Sequence, residues 1–291
     1  MLVFVKSVKA SGPGGPAPSL FSLRTGRLPD GGRRNKETDF AMTDFRVFCR
    51  PASRDPSELM LSPDESHHLV NVNRARSGDT VVAFDGRGTE WIGTLARADK
   101  RSAVIRVNTR RTAPPLPHAL TLGQALPKGT AMDSIVRKAT ELGTARIVPL
   151  ESARTQVHLE GDRQDRKVEK WQTAALEAAK QCGNPWLPEI SPIARVIPFM
   201  ESSHGYDLKL IASLQPGARS LKAVLAGYRE QHAAPPHTVL WLIGPEGDFS
   251  PEEMQASART GFEPVTLGRL VLRCETAAVY SLSILSHELQ G

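Results

Sequence analysis

Hydrophobic and polar positions divide the 291-residue chain into three stretches of different character. Over residues 1–42 no strand or helix period persists. This stretch holds six Gly and four Pro, with Ser-Gly-Pro-Gly-Gly-Pro at 11–16, and such a segment has too little apolar surface to offset the entropy of ordering. Residues 1–41 are therefore expected to be a disordered extension, or to reflect a start assigned upstream of Met42, which directly precedes the first strand-like segment. From 43 to about 110 the pattern is short runs broken by turns. Arg46–Arg50, Thr80–Phe84, Glu90–Ala96 and Ala103–Thr109 predict strands, Asp85-Gly86-Arg87-Gly88 a hairpin turn, and Ser62–Val72 one short helix. This is the pattern of a small β-barrel-like module over 42–112. Arg110–Pro117, which ends Pro-Pro-Leu-Pro, reads as a linker.

Beyond 118 the period alternates between that of strands and that of helices. Ala119–Leu126 predicts a strand, and Met132, Ile135, Val136, Ala139 and Leu142 follow at helical spacing up to Gly143. Ala145–Leu150, Leu208–Ser213, Thr238–Ile243 and Glu263–Leu267 predict further strands. Helices are predicted over Arg163–Gln181, closed by Gly183, and near 218–230, 251–260 and 276–289. This alternation predicts an α/β domain over 113–291 with a largely parallel sheet.

Composition narrows the function classes. Hydrophobic residues make up 40% of the chain, but no run of about 18 of them exists to form a membrane-spanning helix. Cys49, Cys182 and Cys274 are isolated from one another and form no CxxC pair. They supply neither a disulfide framework nor a structural zinc site, which fits a protein of the reducing cytoplasm with no metal. The net charge of +6 is uneven: +4 in residues 1–42, +3 in 43–113 and −1 in 114–291. A basic module attached to a neutral body can be steered toward phosphate; the alternative is an ordinary solvated basic surface.

Neither a phosphate-binding GxxxxGK[ST] motif nor HExxH nor GxSxG occurs. Two loops carry the candidate chemistry. Gly244-Pro-Glu-Gly-Asp-Phe-Ser-Pro-Glu-Glu253 follows a predicted strand, with Ser250, Pro251 and Glu253 placed as N-cap, first helical residue and capping-box partner. Gly244 and Gly247 allow close approach of backbone to a ligand at a strand's carboxyl end, where open α/β sheets bind ligands. The second loop, Leu267-Gly-Arg-Leu-Val-Leu-Arg-Cys-Glu-Thr-Ala-Ala278, places Arg273 and Glu275 at the start of an apolar helix. Arg273 is a candidate for holding a phosphate or an oxyanion, and Glu275 for a helix N-terminal charge or an acid/base group. The two together would equally serve as an ion pair holding a helix end.

Taken together, Ile243-Gly-Pro-Glu-Gly-Asp-Phe-Ser250 and Leu267-Gly-Arg-Leu-Val-Leu-Arg-Cys-Glu-Thr-Ala277 resemble the RsmE family of SPOUT-class methyltransferases, which methylate N3 of a uridine in small-subunit ribosomal RNA. The resemblance covers about 43–291 and extends to Lys128-Gly-Thr-Ala-Met-Asp133, Lys138-Ala-Thr-Glu-Leu-Gly143, Trp171 with Glu177-Ala-Ala-Lys-Gln-Cys182, Arg46-Val-Phe48 and His67-His-Leu69. Asn73 stands where the family usually has an apolar residue, and Cys274 where Thr is common. The resemblance implies a PUA-like RNA-binding barrel followed by a trefoil-knot α/β domain, homodimers, S-adenosylmethionine as cofactor, 16S ribosomal RNA of the small subunit as partner, and no membrane.

Carried over by motif, the cofactor loops are Ala212–Leu214, Gly244–Gly247 and Leu267–Leu272. The individual candidates are Ala212, Leu214, Ile243, Gly244, Pro245, Glu246, Gly247, Leu267, Gly268, Leu270 and Leu272. Uracil N3 becomes nucleophilic only after losing its proton, so a group must stabilise a uridine anion; Arg273 is the candidate. Glu275 and a water are both candidates for the proton acceptor, and the alternative role for Glu275 is to orient Arg273. Candidate RNA contacts are Arg46, Arg50, Arg74 and Arg76, with His68 to stack or hydrogen-bond, and Arg154 and Asn184 from the second domain. Tyr280, Leu282, Ile284 and Leu285 of the final helix are candidates for a dimer surface or for core. Other readings are a SPOUT enzyme acting on another base or a ribose hydroxyl, and a non-catalytic RNA-binding assembly factor.

Overall fold

The computed structural model describes residues 45–156 and 161–290; the reading of 1–41 lies outside them. The first module comprises β1 (Phe45–Phe48), β2 (Glu58–Met60), α1 (Pro63–His67) continuing into a π-helical turn (His68–Val72), β3 (Thr80–Phe84), β4 (Thr89–Arg97) and β5 (Val104–Thr112). Its five strands run in the order β1-β3-β4-β5-β2. They curl around Val47, Leu59, Leu69, Val81, Trp91, Leu95 and Ile105, all buried. The short helix starts where Ser62 accepts a hydrogen bond from the Glu65 amide. Asn73 is exposed, and its amide closes the π turn on the His68 carbonyl, so a polar residue there costs nothing. β2 is too short to show a period, and the sequence did not reveal it.

The second module contains β6 (Ala119–Ala125), α2 (Ala131–Glu141), β7 (Arg146–Glu151), α3 (Asp162–Cys182), β8 (Glu189–Ile190), β9 (Ala194–Arg195), α4 (Val196–Ser202), β10 (Leu208–Ala212), β11 (Arg219–Ser220), α5 (Leu221–His232), β12 (Thr238–Ile243), α6 (Pro251–Arg259), β13 (Glu263–Thr266) and α7 (Cys274–Gln290). The sheet runs β11-β13-β10-β12-β6-β7-β8, with β9 also on β7. Every pairing in it is parallel. β12 shows why its sequence reads as an unbroken apolar run. Val239, Trp241 and Ile243 enter the core with α2, α3, α5 and α7, while Leu240 and Leu242 enter a second core with α4 and α6. A strand covered on both faces has no solvent side to mark with polar residues.

One expectation needs correction at the junction. Arg110, Arg111 and Thr112 belong to β5, so the connection is shorter than the linker expected. Nor is it loose: the Ala113 amide donates to the Gly88 carbonyl (2.8 Å), and the Trp186 indole to the Ala113 carbonyl (3.2 Å). The β3–β4 turn docks on the segment after α3 through Leu187 N to Gly86 O (3.0 Å) and Gly88 N to Pro185 O (3.1 Å). Gly88 has φ +88°, and a Cβ there would lie 2.3 Å from the Trp186 ring. Glycine is required both for the turn and for the close approach. Beside it, Lys180 of α3 pairs with Glu65, whose other oxygen accepts the Phe48 amide (3.0 Å).

His118, just before β6, is buried, and among the described residues neither ring nitrogen has a hydrogen-bond partner. Burial and then the neighbouring His237 depress its pKa below the ordinary 6.5. The unfolded chain therefore binds this proton more readily than the folded one, and stability falls as pH drops below that ordinary value. We expect the melting temperature to decline between about pH 7 and pH 5, and the decline to be shallower in His118→Gln.

Candidate functional site

β13, β10 and β12 lie side by side and parallel, so the segments that leave their carboxyl ends emerge together. Ala212–Leu214, Ile243–Glu246 with Asp248, and Leu267 with Leu270–Leu272 line one pocket, closed below by Cys274 and Ala277 from the first turn of α7. Leu214, Leu270 and Val271 are 58%, 76% and 80% exposed. Three large apolar side chains left open at one pocket mouth suit a ligand or partner surface. The main chain contributes too. Gly268 has φ +112°, and its amide and carbonyl both engage the Thr266 hydroxyl (3.3 Å each). Among the described residues, the amides of Arg269–Leu272 have no acceptor within the protein, so they remain as donors.

The Gly244–Ser250 loop is held by neighbouring loops. Glu246 accepts the Lys128 amide (2.9 Å), Arg154 donates to the Gly247 carbonyl (2.6 Å), and Glu253 accepts the Ala153 amide (2.8 Å). Ser250 and Glu253 form the capping box that the spacing predicts. Further along, Asp133 accepts hydrogen bonds from Lys170 and from the Trp171 indole, joining the segment 128–133 to α3. Size alone does not select the site. A larger cavity of about 750 Å³ lies at the junction of the modules, lined by Leu116, His118 and Trp186. It sits at the amino ends of β6 and β7, away from the Gly-rich loops.

Of the candidate cofactor residues, Ala212, Leu214, Ile243, Gly244, Pro245, Glu246, Leu267, Leu270 and Leu272 line the pocket. Two glycines do not. A Cβ on Gly247 would meet the Arg154 side chain at 3.4 Å rather than enter the pocket, and Gly268 serves through its positive φ. Ser213, Asp248, Val271, Cys274 and Ala277 are not marked individually by the motifs yet line it. Ala277 was legible in principle, being three residues after Cys274 on one helix face. Burial, followed by the charges of Glu246 and Glu275, pushes the Cys274 thiol up to about 11. A neutral thiol fits the packing role and not that of a nucleophile.

Arg273 and Glu275 flank Cys274. Arg273 is exposed, and among the described residues its guanidinium has no partner; only its carbonyl is engaged, by the Ala277 amide (2.8 Å). Glu275 is half-buried. The two form no ion pair, so the helix-end alternative is not what the structure contains.

The RNA candidates separate. Arg46 is withdrawn from the surface: its side chain is 10% exposed, donates to the buried Glu90 at 2.7 Å and lies over the Phe84 ring. It neutralises a buried carboxylate and has no face left for a phosphate. Asn184 is structural, its NH₂ donating to the Thr140 carbonyl (3.1 Å) and its oxygen accepting the Trp186 amide (2.9 Å). His68 faces Glu177 of α3 at 3.8 Å, at the junction. Arg50, Arg74 and Arg76 are exposed. Arg154 is exposed as well, with one guanidinium nitrogen committed to the Gly247 carbonyl. In α7, Leu282 and Leu285 are core, Ile284 is half-buried and Tyr280 is exposed.

Comparison with known proteins gives two family matches: an RNA methyltransferase domain over residues 114–286, and an RNA methyltransferase PUA domain over 61–108. The chain is 32% identical over 231 residues to ribosomal RNA small subunit methyltransferase E of Aquifex aeolicus, covering 78% of this chain and 93% of that protein. To the Synechocystis protein of the same name it is 29% identical over 267 residues, covering 91% and 82%. Among solved structures, a putative methyltransferase of Legionella pneumophila in complex with bound S-adenosylmethionine is similar at 30% identity and TM-score 0.76. Ribosomal RNA small subunit methyltransferase E of Neisseria gonorrhoeae, bound to S-adenosyl methionine, is similar at 26% identity and TM-score 0.76. Each structural match covers 84% of this chain and 98% of the other.

Proposed function

The chain belongs to the ribosomal RNA small subunit methyltransferase E family, and from that premise we propose how its own residues divide the work of methylating N3 of a 16S ribosomal RNA uridine, position 1498 in the family's enzyme name. The observation that carries the reading is the convergence of three strand ends on one pocket, with Arg273 and Glu275 adjacent in sequence to its lining residue Cys274. The residues present fit S-adenosylmethionine. Leu267 and Leu272 offer apolar faces to an adenine, and the unpaired amides of Arg269–Leu272 can read its edge. The bound cofactor supplies a methyl group already made electrophilic by its sulfonium.

The protein's task is then to align the uridine and hold it as an anion. Arg273, whose guanidinium has no partner among the described residues, stabilises the charge that spreads onto O2 and O4 of the ring. Glu275, which makes no ion pair with Arg273, or a water takes the N3 proton. Arg50, Arg74 and Arg76 of the first module hold RNA phosphates. Leu214, Leu270, Val271 and Tyr280 are the apolar positions that support a homodimer with the cofactor site at its interface. The trefoil knot and a cytoplasmic location accompany the same reading.

The test is mass-spectrometric mapping of methylated uridines in small-subunit ribosomal RNA from cells with and without the protein. Loss of one N3-methyluridine is expected; loss of a ribose methyl or of another modified base would transfer the chain to a different SPOUT activity. Arg74→Ala with Arg76→Ala should weaken RNA binding and lower its salt dependence, because fewer counterions are released. Filter binding across a salt series checks this, with cofactor affinity expected to stay at the parental value.

A further inference from the structure

We propose that the first module carries a built anchoring pocket for a single phosphate of the ribosomal RNA backbone, formed by Arg50, Arg54, Arg87 and Arg110 around the edge of Trp91. This rests on the RNA-methylating function and adds a site that the motifs do not mark. Three separate segments make it: the β1–β2 loop supplies Arg50 and Arg54, the β3–β4 turn supplies Arg87, and the paired residues Trp91 and Arg110 of β4 and β5 supply its wall. Its volume of about 250 Å³ is below the range of roughly 300–1,000 Å³ usual for whole small-molecule ligands. It is the size for one charged group.

The charge balance sets the sign of the ligand. Four guanidiniums face one lining carboxylate, Asp85, whose Oδ1 is occupied in the turn by the Arg87 and Thr89 amides (2.7 and 3.0 Å). Arg110 approaches Asp55 at 3.5 Å, and Arg50 lies over the Phe48 ring at 5.1 Å. Among the described residues, the guanidiniums of Arg54 and Arg87 have no partner. Arg46 and Arg111 differ, since both are tied to the buried Glu90.

Trp91 is 3% exposed, and among the described residues neither its indole N–H nor Nε of Arg110, both buried, has an acceptor. Both side chains form the closed wall of the pocket, so the ligand's contacts come from the exposed guanidiniums of Arg50, Arg54 and Arg87. A tetrahedral oxyanion offers acceptors in several directions at once, and planar guanidiniums match it bidentately. A neutral ligand would leave the guanidiniums of Arg54 and Arg87, unpaired among the described residues, uncompensated, and a cation would be repelled.

The experiment uses the full chain and a labelled fragment of small-subunit ribosomal RNA bearing the target uridine. Arg54→Ala with Arg87→Ala should weaken RNA binding by about 10-fold and lower the salt slope by about 0.7–0.9 for each phosphate no longer neutralised. Cofactor affinity by calorimetry and melting temperature should remain parental, which separates a missing arginine–phosphate pair from a misfolded barrel. Arg54→Lys with Arg87→Lys should restore the salt slope but only part of the affinity, because a point charge lacks the planar fork. Parental affinity and slope in the alanine variant would overturn the proposal. Loss of inorganic phosphate binding with unchanged RNA affinity would assign the pocket to free anions and overturn its role in RNA capture. A parent protein that methylates no RNA would overturn the underlying function, and the pocket's role with it.

Discussion

Arg273→Ala is expected to lower the single-turnover methylation rate at saturating RNA and cofactor by about 100-fold or more, the scale for removing one charge-stabilising donor at a reacting centre. The structure sharpens the reason. Had Arg273 been paired with Glu275, its loss would have acted by releasing the end of α7. Its guanidinium instead has no partner among the described residues, while α7 begins through the bond from the Ala277 amide to the Arg273 carbonyl, which Ala keeps. The helix should therefore survive the substitution and the rate should not. Lys should recover only part of the rate, because a uridine anion shares charge between O2 and O4 and a planar fork can meet both. Calorimetric titration of the cofactor should stay within a few-fold of the parent. A parental rate with weakened cofactor binding would make Arg273 part of the cofactor pocket instead.

The second large effect is expected at the pocket floor. Ala277 is 8% exposed and lines the pocket from the first turn of α7. Ala277→Leu keeps a strong helix former and places a branched side chain where the ligand should lie. Overpacking a filled site costs about 1–3 kcal/mol, which corresponds to roughly 5- to 150-fold in cofactor affinity. Gly247→Val provides the contrast. From the sequence it would be expected to block the pocket; in the fold its side chain meets Arg154, so it should shift that arginine and affect cofactor affinity less than Ala277→Leu. Calorimetry on both variants, with circular dichroism to establish folding, decides the point. If Gly247→Val lost binding and Ala277→Leu kept it, the pocket would have to be placed on the other side of the Gly244–Ser250 loop.

What the sequence by itself determined was local or repetitive. The run Thr238–Ile243 marked a strand because both of its faces are buried, and Ser250-Pro251 with Glu253 marked the helix that follows because a capping box is satisfied within four residues. Alternation of strand and helix periods implied the parallel sheet, and the two Gly-containing loops were legible as motifs. Pairing across the chain was not legible. β2, β8, β9 and β11 are two or three residues long, too short to carry a period, and they exist only because a neighbouring strand offers an edge.

The same limit governs individual charges. Arg46 and Arg54 look alike in sequence, yet Glu90 lies opposite one and nothing in the described protein pairs with the other. Charge composition is a property of the chain, whereas a charge's availability depends on which carboxylate the fold brings within about 3 Å, where a buried pair satisfies itself and excludes solvent and ligand alike. Gly247 makes the point for shape. The motif placed it among the pocket residues, but the direction of its absent Cβ is set by backbone geometry that tertiary contacts with Arg154 and Lys128 complete.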